Sequence, residues 1–279
     1  MPTDAERAQA AQRVIADQLG VTGWQVIKRD AGSLVGSGRW QGQDVVVKWW
    51  SSAGPLGALR IALGRGRADR HVAGTKLLLE AGIAAPRVLT LVNHRPGPAR
   101  GQFVIMQRLP GKTLLQHLAD GRLSVRQQHA LARSAGRLVQ ALCDASLNNR
   151  DGKPSNIIVT SVSDQDAELA FIDTVGVRRC RLGPPPSAVM LKNLLVEPLG
   201  CGVLPRRSLI MRGYRWDKQA LDARRSAQAA EEFDDLSHEA AREDSRMNRR
   251  VDWDLIAQLI REHGDPRPKI NPLSIRTPQ

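Results

Sequence analysis

The sequence predicts an α+β chain in two lobes, a small β-rich N-lobe and a larger, mainly helical C-lobe. Two kinds of pattern predict it. Runs rich in β-branched and aromatic residues crowd the N-terminal part, as in Val45-Val46-Val47-Lys48-Trp49-Trp50 and Gln102-Phe103-Val104-Ile105-Met106. Further on, Leu131, Ala135, Leu138 and Leu142 recur at spacings of four, three and four, which marks one buried helical stripe.

The elements follow in order within a single domain over residues 1–279. Residues 1–22 read as a polar helix leading in, and residues 23–106 carry the strands and one helix of the N-lobe. Within them, Gly32-Ser33-Leu34-Val35-Gly36-Ser37-Gly38 reads as a glycine-rich turn between strands, and Gly42-Gln43-Asp44 as the turn into the next strand. Residues 68–80 read as a helix. Residues 107–111 form the hinge and residues 112–279 the C-lobe. Pro184-Pro185-Pro186 marks an irregular segment, residues 217–250 a solvated, charged helical stretch, and the proline-bearing tail from Pro266 a wrapping loop.

The chemistry concentrates after the helical stripe, in Asn149-Arg150-Asp151-Gly152-Lys153-Pro154-Ser155-Asn156. A short strand, Asn156-Ile157-Ile158-Val159, comes next. A turn at Asp164 to Asp166 then leads to a second strand, Leu169 to Ile172, ending at Asp173. Helix, polar loop, strand, turn, strand and aspartate is the layout of a protein-kinase-like catalytic loop and metal site. Phosphoryl transfer needs a carboxylate to orient the attacking hydroxyl and take its proton, a cation near the moving phosphate, and oxygen ligands for magnesium. Asp151 suits the first role, Lys153 the second, and Asn156 with Asp173 the third, because Mg2+ prefers hard oxygen donors. The competing reading is a solvated loop between a helix and a strand.

The N-lobe supplies the nucleotide contacts of such a reading. Lys48 lies inside an apolar strand, where an ammonium group calls for an anion, here the phosphates of ATP. An edge-strand lysine facing water is the alternative. Backbone N–H groups around Gly32, Gly36 and Gly38 could cover phosphates, although the spacing is not G-x-G-x-x-G. The lysine's usual partner, a glutamate on the following helix, is not evident. His71 stands near its place, with Asp69 too short and Glu80 near the helix end; the bland reading of His71 is an ordinary surface residue.

Composition narrows the class. The 279 residues, 42% of them hydrophobic, suffice for a sizeable core. No apolar run approaches the ~18 residues that span a bilayer. The polar start lacks a signal-peptide apolar region, so a cytoplasmic location is expected, with peripheral contact at the inner membrane. Cys143, Cys180 and Cys201 are widely spaced and read as reduced thiols. The net charge of +13, with Arg60, Arg65, Arg67 and Arg70 and then Arg178, Arg179 and Arg181 in groups, points to an anionic partner. With aromatics at 4% and no stacking motif, nucleic acid is the minority reading.

Three segments resemble the lipopolysaccharide kinase (Kdo/WaaP-type) family. Leu79-Glu80-Ala81-Gly82-Ile83-Ala84-Ala85-Pro86-Arg87-Val88-Leu89 is similar to that family's joint between the N-lobe helix and the next strand. Asn149 to Ile157 is similar to its HRDLKxxNI loop, and Phe171-Ile172-Asp173-Thr174-Val175-Gly176-Val177-Arg178-Arg179 to its "lIDldgvRr" segment. The resemblance spans about residues 30 to 215. It implies ATP and Mg2+ as cofactors, Lys48 on the nucleotide phosphates, Asp151 as base, Lys153 near the γ-phosphate, and Asn156 and Asp173 on the metal. The implied acceptor is an anionic glycolipid or sugar of the lipopolysaccharide inner core. Two positions depart from the pattern: Asn149 replaces the loop histidine, and the helix glutamate is missing. An asparagine can still hydrogen-bond the neighbouring backbone. A kinase of another acceptor (a protein Ser/Thr or a small alcohol) and a pseudokinase binding module remain as alternatives. The lack of an Ala-Pro-Glu motif speaks against a protein kinase.

Overall fold

The computed structural model describes residues 2–52, 54–180, 185–203 and 205–214. The chain divides into two compact units, Met1–Glu80 with Ala85–Leu109, and Ala81–Ala84 with Pro110–Gln279. The charged stretch 217–250, the tail from Pro266, Arg181 and Pro184 lie outside the described residues.

The first unit opens with α1 (Asp4–Arg13), started by a capping box in which Thr3 and Glu6 satisfy each other's backbone N–H. One π-helical turn, Val14–Gln18, extends it. The leading helix is polar on its outer side only: Ala11, Val14 and Ile15 join Leu34, Val45, Val47, Trp49, Phe103 and Ile105 in one core. That core covers one face of a five-stranded antiparallel sheet, β1 (Thr22–Asp30), β2 (Ser33–Trp40), β3 (Gln43–Ser51), β4 (Val88–His94) and β5 (Gly101–Gln107). The spatial order is β1-β2-β3-β5-β4, so β3 is the middle strand. Between β2 and β3, Gln41 (φ 49°) and Gly42 (φ 78°) form the turn, a conformation that suits a two-residue hairpin. Helices α2 (Gly54–Ala62) and α3 (Arg67–Glu80) fall between β3 and β4.

The first strand of the second unit is β6 (Lys112–Thr113), directly after the expected hinge. Capping boxes at Thr113 and Ser124 start α4 (Leu114–Asp120) and α5 (Val125–Asp144). Leu131, Ala135, Leu138 and Leu142 are buried along α5, as their spacing predicts. Burying a leucine-sized side chain contributes about 1.5–3 kcal/mol, and α5 carries three of these leucines on one stripe. After α5 come β7 (Leu147–Asn149), β8 (Ile157–Val162), β9 (Ala167–Phe171) and β10 (Val177–Arg179). They form a three-stranded sheet, β6-β8-β9, and a two-stranded ribbon, β10-β7. Helices α6 (Ser187–Gly200) and α7 (Arg207–Gly213) complete the described part, and both pack on α5.

Candidate active site

The loop residues are held by short bonds within the second unit. Asn149 ends β7 opposite Val177 and is fully buried. Its Oδ1 accepts the Asp151 N–H at 3.1 Å. The substitution of asparagine for histidine thus keeps a side chain on the backbone at the turn, as expected. Gly176 lies against it; a Cβ there would stand 3.2 Å from both Asn149 Oδ1 and Asp151 N. Any larger residue at 176 would press the loop off its place.

Past this turn, Lys153 Nζ lies 3.7 Å from Asp151 Oδ1, with the two side chains 41% and 50% exposed. An ion pair this open contributes little to stability, and its exposure leaves both groups accessible to a substrate. The loop closes on itself through Asn156. Its Nδ2 donates to the Asp151 carbonyl at 3.0 Å, while its backbone carbonyl accepts the Ile172 N–H at 2.9 Å. Asn156 therefore ties Asp151 to the end of β9, one residue before Asp173. With Nδ2 committed to the loop, Oδ1 is the atom of this amide suited to a cation. Asp173 Oδ1 accepts the Val175 N–H at 3.3 Å, a local turn that orients its carboxylate. The donor set formed by one amide oxygen and one carboxylate fits magnesium, which is satisfied by few protein oxygens when phosphates and waters complete its shell.

Helix α6 is the platform beneath the loop, and nothing in the sequence reading assigned it that task. Glu197 accepts from the Ser155 N–H at 2.7 Å and from the Ser155 hydroxyl at 2.6 Å. One turn earlier, Asn193 Nδ2 donates to the Arg150 carbonyl at 3.1 Å. A half-buried acid among Leu194, Leu195, Pro198 and Leu199 was the available signal: an isolated charge inside an apolar helix needs a polar partner.

Lys48 belongs to the first unit. It lies on the middle strand, between Val35 of β2 and Val104 of β5, and is 7% exposed. The edge-strand alternative is thereby corrected: β3 has a neighbour on both sides. Alternation along β3 sends Val45, Val47 and Trp49 to the α1 face and Lys48 and Trp50 to the other. His71 of α3 packs on this second face, its ring 5.7 Å from that of Trp50. It is 1% exposed, so it is a core residue and not the surface histidine expected. Asp69 also has another task. Its Oδ2 accepts from the Gly66 N–H at 2.8 Å and from Gln102 Nε2 at 3.0 Å, while Gln102 Oε1 accepts the Ala68 N–H at 3.3 Å. The carboxylate caps α3 and anchors it to β5.

The glycine-rich segment differs from the expected turn. Gly32 does lie in the β1–β2 turn, with φ 72°. Gly36 and Gly38 lie inside β2. A Cβ on Gly36 would strike the Trp24 ring, and one on Gly38 would stand 2.6 Å from Val21 Cγ1. Their missing side chains make room for β1, which crosses β2 with two irregularities in its register.

The Asp-x-Lys-x-x-Asn loop, joined through Asn156 to the segment that ends at Asp173, has the layout of a kinase-type phosphotransferase. Residues 57–189 match the model of the lipopolysaccharide kinase (Kdo/WaaP) family. That span contains Asp151, Lys153, Asn156 and Asp173; Lys48 and the three glycines precede it. Among solved structures, the chain is similar in fold to WaaP in complex with acyl carrier protein, at a TM-score of 0.58 and 19% identity. The similarity covers 85% of this chain and 92% of that one. Comparison with curated proteins gives no match.

Proposed function

We propose that this protein is an ATP- and Mg2+-dependent kinase that phosphorylates a hydroxyl of a lipopolysaccharide inner-core sugar (Kdo or heptose) or a related glycolipid. It would work as two lobes joined near residues 107–111, at the cytoplasmic side of an anionic membrane. The observation that carries the reading is the closed loop in which Asn156 binds the Asp151 carbonyl and, through its own carbonyl, the Ile172 N–H. This bonding brings the base and metal-ligand candidates onto one rigid piece of backbone.

Asp151 orients the acceptor hydroxyl and takes its proton as the new bond to phosphorus forms. Lys153, beside it, sets a positive charge where negative charge gathers on the moving phosphoryl group. Asn156 Oδ1 and the Asp173 carboxylate would hold the metal. Lys48, embedded in its sheet, would meet the nucleotide phosphates, and the β1–β2 turn at Gly32 with the strand glycines Gly36 and Gly38 would border the nucleotide. Bound magnesium–ATP supplies the transferable phosphoryl group and neutralises the charge of its phosphates. Arginine's forked donors suit a phosphorylated or carboxylated acceptor.

Purified protein given magnesium–ATP and, in parallel, inner-core lipopolysaccharide, a generic protein substrate and a small alcohol tests the reading. Mass spectrometry should find one added phosphoryl group on the sugar. Transfer only to the protein or alcohol would replace the acceptor. Nucleotide binding without transfer to any of them would leave a binding module.

A further inference from the structure

Helix α2 is turned inside out. Leu56, Leu59 and Leu63 are 71%, 55% and 59% exposed. The Leu63 N–H donates to the Leu59 carbonyl at 3.0 Å, so the helical path continues through the turn after Ala62. At 3.6 residues per turn the three leucines fall within an arc of about 60°. The opposite side carries Gly57, Ala58 and Ile61, all half-buried. A Cβ on Gly57 would stand 3.3 Å from the Ser52 carbonyl carbon, so this side rests close on the backbone. A helix folded only for its own unit would place its leucines inward and its small residues outward.

The charges around it share one sign. Arg60, Arg65, Arg67 and Arg70 are exposed on α2, on the turn after it and at the start of α3. The one acid in this stretch, Asp69, is turned toward Gly66 and Gln102. We propose that α2 is the element by which this protein lies on a membrane, its leucine ridge entering the headgroup region of an anionic bilayer while the neighbouring arginines bind lipid phosphates. The inference rests on the glycolipid-kinase reading for its purpose, since it would bring the enzyme to an acceptor embedded in lipid.

Two features favour lipid over a folded partner. The leucines form a convex ridge, which a fluid phase can enclose without a preformed groove. Forked guanidinium groups beside them match phosphodiesters. A nine-residue helix with two leucines and a third just past its end is a weak anchor alone; like other interfacial helices it needs the apolar and the electrostatic signal together. No helix among the described residues is long and apolar enough to cross a membrane.

Flotation of the full chain with vesicles of phosphatidylcholine, alone or mixed with phosphatidylglycerol, tests the proposal. Wild type should bind the anionic vesicles at least tenfold better than the neutral ones, with binding falling as salt rises. The Leu56→Ser/Leu59→Ser/Leu63→Ser variant and the Arg60→Gln/Arg65→Gln/Arg67→Gln variant should each lose at least tenfold while keeping nucleotide affinity. Hydrogen exchange on wild type supplies a readout free of mutation: residues 54–63 should gain protection on anionic vesicles. Absence of that protection, or a leucine variant that floats like wild type, overturns the proposal. So does a wild-type dimer, or a complex with acyl carrier protein, that the leucine substitutions abolish while vesicle binding persists. Failure of ATP binding with vesicle binding intact would sink the kinase reading and leave α2 as a lipid-binding element.

Discussion

The two sets of candidate residues, one in each unit, are held by opposite means. The loop set is made of hydrogen bonds between near neighbours, Asn149 to Asp151 and Asp151 to Asn156, with Ser155 and Arg150 reaching to α6. The lysine set is made of packing between distant segments: β3 in the middle of a sheet, Trp50 against His71, and Gln102 tied to Ala68 and Asp69 more than thirty residues away. Short-range bonds leave a spaced pattern of polar residues in a sequence. Long-range packing leaves only apolar runs, which many folds share.

The sharpest test of the contrast is Asp151→Asn. Asparagine keeps the shape and cannot take a proton, so transfer should fall by about 10²–10⁴-fold with ATP affinity retained. Steady-state rates beside calorimetric ATP titration would read this, and turnover within a few-fold of wild type would reduce Asp151 to a loop carboxylate. Next is Asp173→Ala. Magnesium–ATP at a hundred times its dissociation constant should stabilise wild type by about 2.7 kcal/mol, and the variant should lose most of this. Thermal melts with and without magnesium measure it; equal shifts would remove Asp173 from the metal.

In the lysine set the expected losses separate. Lys48→Met should weaken nucleotide binding, whereas His71→Ala should lower folding stability by about 1–3 kcal/mol, because a buried ring against Trp50 is removed. Denaturant unfolding and ATP titration on both variants would show it. A His71→Ala protein that folds as wild type and loses ATP affinity as Lys48→Met does would make the histidine the lysine's working partner. The smallest effect is expected for Glu197→Gln, which keeps the shape under Ser155 and weakens a charge-assisted pair. The maximal rate should fall about tenfold, roughly 1.4 kcal/mol, with little change in KM for ATP; an unchanged rate would make α6 a passive support.

What was legible follows the same division. That Asp151, Lys153 and Asn156 share one loop and that Asp173 follows the second strand could be read because their spacing is fixed by that loop and two strands. The α5 stripe could be read because a single face repeats. The capping pairs Thr3 with Glu6, Thr113 with Gln116 and Ser124 with Gln127 were equally local signals, and they were passed over. His71 was misread as a surface residue, and the tie of Asp69 to Gln102 was missed, because their surroundings come from β3 and β5 and no spacing along α3 announces them. Gly36 and Gly38 were read as part of a turn because glycine marks turns and close strand approach alike; only the Trp24 ring across the sheet separates the two. Glu197 was missed because Ser155, its partner, lies 42 residues away.

The mooring of α3 to Gln102 bears on how this protein can be controlled. Swinging the helix outward would break the bonds from the Ala68 N–H to Gln102 Oε1 and from Gln102 Nε2 to Asp69, at about 1–3 kcal/mol for each group left unsatisfied. A helix-based on–off device, which requires two resting positions of comparable energy, would have to offset that cost. The tie to β5 thus favours one position of α3 within the first unit, and Gln102→Ala is the change that would loosen it.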